Sequence, residues 1–425
     1  MIQAVMRKLR QSFAMFILLA IGGAAMAQET LNIEISGVGS SATPVMVAGF
    51  SGDSSGISAT VRADLARTGA FTLTGEGVTL SEATSYEGAR QNAAGAYAVA
   101  VGTVSNVDAN IEVRYRLFDL RKGQQLSYLA IVSPGAKVRY TAHRIADDIY
   151  QKLTGVRGIS GTRLAYVAKA GKEYRLEVAD ADGAGRQVAL RSNEPIISPS
   201  WSPDGSKVAY VSFEAKKPVV YIQNLRTGER KVIANYKGNN SAPSWFPDGS
   251  RIAVALSRNG YTQIYTVNAN GGDLKQLTNT RSICTEPQVS PDGRSIYFTS
   301  DQSGGPQIYK IGIGGGTPQR VTFAGSYNIS PRISPDGHHL AFISNRGAGF
   351  QLHVKDLTND QEMRLSNTAH DESPSFSPNG QYIMYSTDSG RSGTLSVVSI
   401  DGLFRQKISM KSTDVREPSW SPFSK

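Results

Sequence analysis

Pro199-Ser-Trp-Ser-Pro-Asp-Gly205 is one copy of a phrase that returns at Pro243-Ser-Trp-Phe-Pro-Asp-Gly249, Pro287-Gln-Val-Ser-Pro-Asp-Gly293, Pro331-Arg-Ile-Ser-Pro-Asp-Gly337, Pro374-Ser-Phe-Ser-Pro-Asn-Gly380 and, cut short, Pro418-Ser-Trp-Ser-Pro422. The leading prolines stand 44, 44, 44, 43 and 44 residues apart. A period in the low forties, with short apolar runs in every unit, marks the blades of a β-propeller. Within the phrase, Pro, Asp and Gly suit positions i+1 to i+3 of a type I turn, so each copy joins two antiparallel strands. The first strand is short and carries Trp201, Trp245, Val289, Ile333, Phe376 or Trp420. The second lies at 208–211, 252–255, 296–299, 340–343 and 382–385, and the third at 219–223, 263–267, 307–311, 351–355 and 394–399. A fourth ends near Val232, Leu277, Val321, Leu365 and Ile408, which completes a four-stranded blade.

The count closes at six. Residues 163–167 and 174–178 read as second and third strands with no phrase before them, and the chain reaches Lys425 just after a first strand. The last blade is therefore expected to be sewn from both ends of the propeller segment, 163–425, leaving no free sheet edge at the seam.

The start of the chain reads as a processing segment. Arg7, Lys8 and Arg10 precede an apolar core at 13–21 and a small-residue site at Ala25-Met-Ala27, so a Sec-type signal peptide cut after Ala27 is expected. The apolar run is short for a bilayer span; no twin arginine precedes it and no Cys follows the cut. The mature form is expected to begin at Gln28, outside the cytoplasm, with no membrane span. Lys and Arg number 45 against 35 Asp and Glu; three of the basic residues belong to the leader, which leaves +7 on the mature chain. This charge is not gathered into basic stripes, so no nucleic acid is expected as a partner. One cysteine, Cys284, excludes an internal disulfide, and core burial must hold the fold.

Residues 28–153 carry no repeat. Strand patterns at 31–35, 45–50, 71–74, 97–101, 111–120 and 125–132 alternate with helical patterns at 57–67, 85–95 and 137–153, which makes an α/β domain with a mixed sheet. Residues 154–162, with three glycines and no periodicity, read as the linker.

Several motifs invite chemistry and lose it on inspection. Gly52-Asp-Ser-Ser-Gly56 matches a nucleophile elbow, but the domain is too small for the sheet that motif needs. Its one histidine, His143, sits in a helix with no stated reason to face Ser54, and the plainer reading is a flexible Gly/Ser loop. Asp180-Ala-Asp-Gly183 lacks the later Glu of a calcium loop; its repeat equivalents vary as hairpin turns do. His338-His339 would point to opposite faces of a strand, and neither a metal nor a cofactor is expected. What remains is the rim of the central channel, placed just before each repeated proline. Glu286, Glu372 and Glu417 recur there, and together they suggest a polar, acidic surface for a partner.

The order of these parts, with Lys152-Leu-Thr-Gly155, Thr162-Arg-Leu-Ala-Tyr-Val167, Thr299-Ser-Asp-Gln-Ser-Gly304, Pro306-Gln-Ile-Tyr-Lys310 and Gly316-Thr-Pro-Gln-Arg320, resembles the TolB family of the Tol-Pal system over the whole mature chain. The resemblance implies a non-enzymatic periplasmic adaptor, a monomer, that serves outer-membrane integrity and invagination at division. It implies binding of the lipoprotein Pal at the channel mouth, on Asn239, Ala242, Thr285 and Glu286, to which the repeat adds Glu372 and Glu417. It also implies that the mature N-terminus, Gln28, Glu29, Thr30, Leu31, Asn32, Ile33, Glu34 and Ile35, engages TolA. Leu31, Ile33 and Ile35 alternate with polar residues as in a free strand, for which two alternative dockings are open, addition to a partner's sheet edge or folding back onto its own domain. Other outer-membrane or peptidoglycan-associated proteins are further candidate partners. Asn239 stands where the family often has His, and Cys284 is unusual beside the rim. Two competing readings are a prolyl-type peptidase, whose propeller would precede a hydrolase domain, and a small-ligand channel, which would show aromatics at the mouth.

Overall fold

Ala98-Val-Ala-Val101 shows why the N-terminal layer forms. Ala98 and Ala100 face one apolar cluster, Val99 and Val101 the other, the alternation of a strand buried on both faces. The computed structural model describes residues 31–36, 42–388, 392–410 and 413–424. Its first elements are β1 (Leu31–Ser36), β2 (Thr43–Val47), β3 (Gly49–Phe50), α1 (Ile57–Ala66), β4 (Phe71–Thr74), β5 (Thr79–Leu80), α2 (Tyr86–Gln91), β6 (Ala98–Val107), β7 (Asn110–Asp119), β8 (Gln124–Pro134) and α3 (Val138–Thr154). The sheet order is β4-β2-β6-β7-β8, parallel across the first three strands and antiparallel from β6 to β8. Val61 and Leu65 of α1 pack with Ile145, Ala146 and Ile149 of α3 on one face, and Ala89 of α2 packs on the other.

Local chemistry sets the helix ends. α2 is shorter than its pattern suggests, because Ser85 caps it by accepting the Gly88 N–H at 3.1 Å, and Ala94 at φ 48 breaks any continuation. α3 stops at Gly155, whose φ of 79 lets its N–H return to the Gln151 carbonyl. The start of α1 is held from a distance: Asp53 accepts the N–H groups of Ile57 at 3.0 Å and Ser58 at 2.8 Å. Burial pushes the Asp53 carboxyl up, yet these bonds hold it below its ordinary range. The Gly/Ser segment expected to be a flexible loop is thus a fixed helix cap.

The propeller follows. Blade 1 is Ile196–Trp201, Lys207–Ser212, Val219–Asn224 and Arg230–Ala234; blade 2 is Asn240–Trp245, Arg251–Asn259, Tyr261–Asn268 and Lys275–Gln276. Blade 3 is Cys284–Val289, Ser295–Ser300, Gln307–Gly312 and Gln319–Arg320; blade 4 is Tyr327–Ile333, His339–Asn345, Phe350–Asp356 and Glu362–Arg364. Blade 5 is Asp371–Phe376, Tyr382–Asp388, Gly393–Ser399 and Arg405–Met410. Blade 6 is the seam: Asp414–Trp420 pairs antiparallel with Arg163–Ala170, which continues into Glu173–Asp180 and Gln187–Ser192. The repeated turn behaves as its residues dictate, Gly205 N–H donating to the Ser202 carbonyl at 2.9 Å. Adjacent blades are stitched by indoles, Trp201 to the Ser419 carbonyl and Trp245 to the Ser200 carbonyl.

The repeated phrase reads as if each inner strand starts at its proline; the strands begin three or four residues earlier. The residue before each proline takes positive φ, 55 at Ser198, 51 at Ala242, 51 at Glu286, 55 at Ser330, 52 at Ser373 and 54 at Glu417. Pairing slips there, between Thr285 and Gln288 for example. Proline has no N–H for the ladder and restricts the residue before it, so the strand passes through a bulge and resumes.

The N-terminal domain meets the propeller at the end that carries the Pro-Asp-Gly turns. Tyr382 donates its hydroxyl to the Thr68 carbonyl at 2.7 Å, and Asn379 donates to the Arg157 carbonyl at 2.9 Å. Gly69, at φ 68, lies so close to the Phe404 ring that a Cβ there would clash with it. The glycine-rich connection is anchored by Asp147, which accepts the N–H groups of Ser160 and Gly161, and by Trp420, whose indole donates to Thr162 Oγ1. β1 does not fold back on its own domain. It pairs antiparallel with Arg405–Met410 of blade 5, from Leu31 opposite Met410 to Ser36 opposite Arg405, and Ile33 packs on the apolar cluster beneath. Among the described residues no helix is long and apolar enough to cross a membrane.

Candidate functional site

The six bulges converge on the central channel. Ser198, Ala242, Glu286, Ser330, Ser373 and Glu417 all line a cavity of about 430 Å³. Each strand begins two or three residues before its bulge, at the mouth, the end opposite the N-terminal domain. A left-handed residue turns its side chain off the alternation of the strand, and here that brings two carboxylates into the throat.

Glu286 bridges two blades. Its Oε2 accepts from Thr299 Oγ1 at 2.8 Å and from the Ser330 N–H at 2.9 Å, and its Oε1 accepts from Ser330 Oγ at 2.7 Å. Glu417 joins blade 6 to blade 1 in the same way, accepting the Ser198 N–H at 3.1 Å. Burial in the throat, and then the nearby charge of Glu372, push the Glu417 carboxyl above its ordinary range. Glu372 sits further out, its side chain 45% exposed, paired with Arg416 at 3.3 Å and accepting from Ser386 Oγ at 3.4 Å.

The remaining rim residues are held by backbone. Asn239 exchanges bonds with Ser257, its N–H reaching Oγ at 2.7 Å and its carbonyl taking the Ser257 N–H at 3.2 Å, while its Nδ2 donates to Ser241 Oγ. Thr285 lines a hollow of about 350 Å³ at the blade 3–blade 4 junction with Ile283, Glu286, Asp301 and Tyr327. Cys284 is buried, its sulfur beside Thr280 and Ser300. Gln28, Glu29 and Thr30 lie outside the described residues; Leu31, Asn32, Ile33, Glu34 and Ile35 are all on β1, with Glu34 and Ile35 exposed.

The sequence missed the cations. Arg332 lines the channel together with Glu286 and Glu417; burial lowers its pKa and those two carboxylates oppose the shift. Arg416 binds Glu372, and also Asp414 at 3.0 Å, so the rim is a mixed-charge surface and not simply acidic. A signal existed: the residue after the repeated proline is Ser200, Ser244, Gln288, Ser375 or Ser419 in the other copies, and only Arg332 is charged.

Comparison with known proteins bears on the whole chain. Residues 31–126 match the model of the TolB amino-terminal domain, and residues 150–424 that of the TolB beta propeller domain. The chain is 54% identical over 419 residues to the Tol-Pal system protein TolB of Dechloromonas aromatica, covering 97% of this chain and 98% of that protein. It is 55% identical over 396 residues to the protein of the same name from Azoarcus sp., covering 92% and 93%. The crystal structure of TolB from Acinetobacter baumannii superposes with a TM-score of 0.87 at 37% identity, covering 92% of this chain and 100% of that one.

Proposed function

The chain belongs to the TolB family, and on that premise we propose that it is a non-enzymatic periplasmic adaptor of the Tol-Pal envelope system, exported by a signal peptide cut after Ala27. It binds Pal at the channel mouth through Asn239, Ala242, Thr285, Glu286, Glu372 and Glu417, and TolA through residues 28–35. It thereby serves outer-membrane integrity and inward movement at division. The observation that carries the reading is the ring of bulges, which gathers side chains from separate blades around one open channel.

β1 supports a second partner site of a different kind. It is the outermost strand of blade 5, joined to it by a backbone ladder over six positions. A strand that docks by its backbone competes for two sheet edges, its own blade's and a partner's. If occupancy of the mouth biases that choice, Pal and TolA binding are linked, each altering the other's affinity by the same factor.

Calorimetric titration of residues 28–425 with the soluble domain of Pal tests the first site. One-to-one binding weakened by Thr285→Arg is expected, and binding indifferent to every mouth substitution refutes the assignment. Deleting residues 28–35 should abolish TolA binding while leaving Pal binding intact; retained TolA binding sinks the N-terminal site.

A further inference from the structure

Three buried side chains meet where the N-terminal domain abuts the propeller. Asp64 comes from α1, His143 from α3, and Asp182 from the turn between Glu173–Asp180 and Gln187–Ser192 of blade 6. Asp64 and His143 are each 2% exposed, and the Asp182 side chain 4%. His143 Nδ1 lies 2.7 Å from Asp64 Oδ2. Its other nitrogen, Nε2, lies 3.7 Å from Asp182 Oδ2 and has no hydrogen-bond partner.

That arrangement discriminates between protonation states. Against a carboxylate, Nδ1 must carry a proton, so the neutral ring turns the bare lone pair of Nε2 toward a second carboxylate. Only the imidazolium offers an N–H to both. The surrounding charge agrees. Arg67, the residue that caps the C-terminus of α1, pairs with Asp64 and lies 3.8 Å from Asp182, and Arg139 of α3 pairs with Asp182. Asp147 of α3 acts on Asp64, and Asp180 of blade 6 acts on His143 and is itself opposed by Arg163. Four carboxylates face three guanidiniums, and a protonated His143 brings the cluster to neutrality.

We propose that His143 is a proton-controlled latch between the two domains: as an imidazolium it bridges Asp64 of the N-terminal domain to Asp182 of the propeller, and as a neutral ring it releases Asp182. A divalent cation suits the cluster poorly, because Arg67 and Arg139 already neutralise both carboxylates that would ligate it. Burial lowers the His143 pKa, but its bond to Asp64 and the charges of Asp64, Asp182 and Asp180 outweigh burial and hold it above the ordinary 6.5. A group with a raised docked pKa contributes fully below its undocked value and loses that contribution as pH rises through the docked one. Asp182 works at the other limit. Burial pushes it up, but the Ala184 N–H and the charges of His143, Arg139 and Arg67 hold it below 3.8, so its contribution fades only as pH falls through that depressed value. Docking is therefore tightest in mildly acidic solution. Gln406 and Ile408, from the strand that pairs β1, line the same interdomain cavity as Asp64 and Asp182, so loosening the latch reaches the docked N-terminal strand.

The test uses the mature chain, residues 28–425, with carbon-13 labelled histidine; the sequence has five histidines, and His143→Gln assigns the resonance. His143 should titrate above 6.5, and Asp182→Asn should lower that value. Hydrogen exchange at residues 64–70, compared at about pH 6 and about pH 8.5 after correction for intrinsic rates, should lose about tenfold protection per unit by which the docked value exceeds the undocked one. Asp182→Asn should remove that pH dependence. A His143 value at or below 6.5, a value unmoved by Asp182→Asn, or equal protection at both pH values overturns the proposal. Asp182→Asn alters an interdomain turn and no core residue, so it decides the matter even if His143→Gln fails to fold.

Discussion

Replacing Glu286 by alanine should loosen the junction of blades 3 and 4 before it affects any partner. The side chain accepts three hydrogen bonds, from Thr299 Oγ1, the Ser330 N–H and Ser330 Oγ. Bonds to an ionised acceptor are worth about 1.5–3 kcal/mol each when dry, and water entering the channel returns part of that, leaving roughly 1 kcal/mol apiece. The left-handed backbone at φ 51 costs alanine what it costs glutamate, so that strain cancels in the comparison. The expected loss is about 2–3 kcal/mol, a fall of about 4–10 °C in the propeller's melting temperature by scanning calorimetry. Glu286→Gln separates geometry from charge. Its amide oxygen can still accept from Thr299 Oγ1 and the Ser330 N–H, and its NH₂ can donate to Ser330 Oγ, so it should lose less than about 1 kcal/mol. A Glu286→Ala protein that melts with the wild type would refute the bridge. A Glu286→Gln protein that melts as low as Glu286→Ala would show that the charge, and not the bonding geometry, holds the blades. Only the Gln variant gives a clean reading of the partner interface.

Gly69→Ala must place a Cβ against the Phe404 ring in a left-handed conformation, and strain plus overpacking should cost about 2–5 kcal/mol in domain docking, read as earlier urea unfolding of the N-terminal domain. A variant as stable as the parent would mean that Phe404 swings away freely. Asp53→Ala removes the two backbone bonds at the start of α1 and should cost about 1–2 kcal/mol; an unchanged midpoint would assign the loop's order to something else. Asp204 has its carboxyl lowered to about 2; burial raises it, but bonds from Ser202 and Ser206 and then the charge of Lys207 outweigh that. A depressed carboxyl contributes stability above its unfolded value, and that contribution is lost as pH falls through the folded one. Asp204→Asn should therefore flatten the stability profile between pH 3.8 and about 2, and a slope identical to wild type would contradict this. Blade 5 carries the natural control, since Asn379 accepts the Gln381 N–H in the same turn without a charge.

The propeller was legible because its information is local and repeated. A seven-residue phrase whose Pro, Asp and Gly each answer a backbone requirement needs no long-range partner to be read, and a fixed period turns six weak signals into one strong one. The seam was legible for the same reason, as a count that failed to close at either end. The inner strand starts were misplaced because the bulge at Ser198, Glu286 and their equivalents is made by residues that show no preference for positive φ; pairing with the second strand imposes it. The rim carboxylates could be named from their column in the repeat. That Glu286 would be consumed by Ser330 of the next blade, and that Arg332 would share the channel lining with Glu286 and Glu417, could not be named, since those residues lie a whole repeat or more apart.

The sequence by itself determined the number of blades, the turn chemistry, the export signal as an expectation, and the α/β character of the first domain, all of which follow from spacing and local propensity. Tertiary structure alone decided three things. β1 lies on blade 5, because Arg405–Met410 leaves an edge unpaired that no local pattern identifies. The N-terminal domain covers the turn end of the propeller, because Thr68, Gly69 and Arg157 find Tyr382, Phe404 and Asn379 there. And His143, which in the sequence is one histidine on a helix, comes to lie between two domains, because Asp64 and Asp182 arrive from 79 and 39 residues away and burial makes its protonation state count.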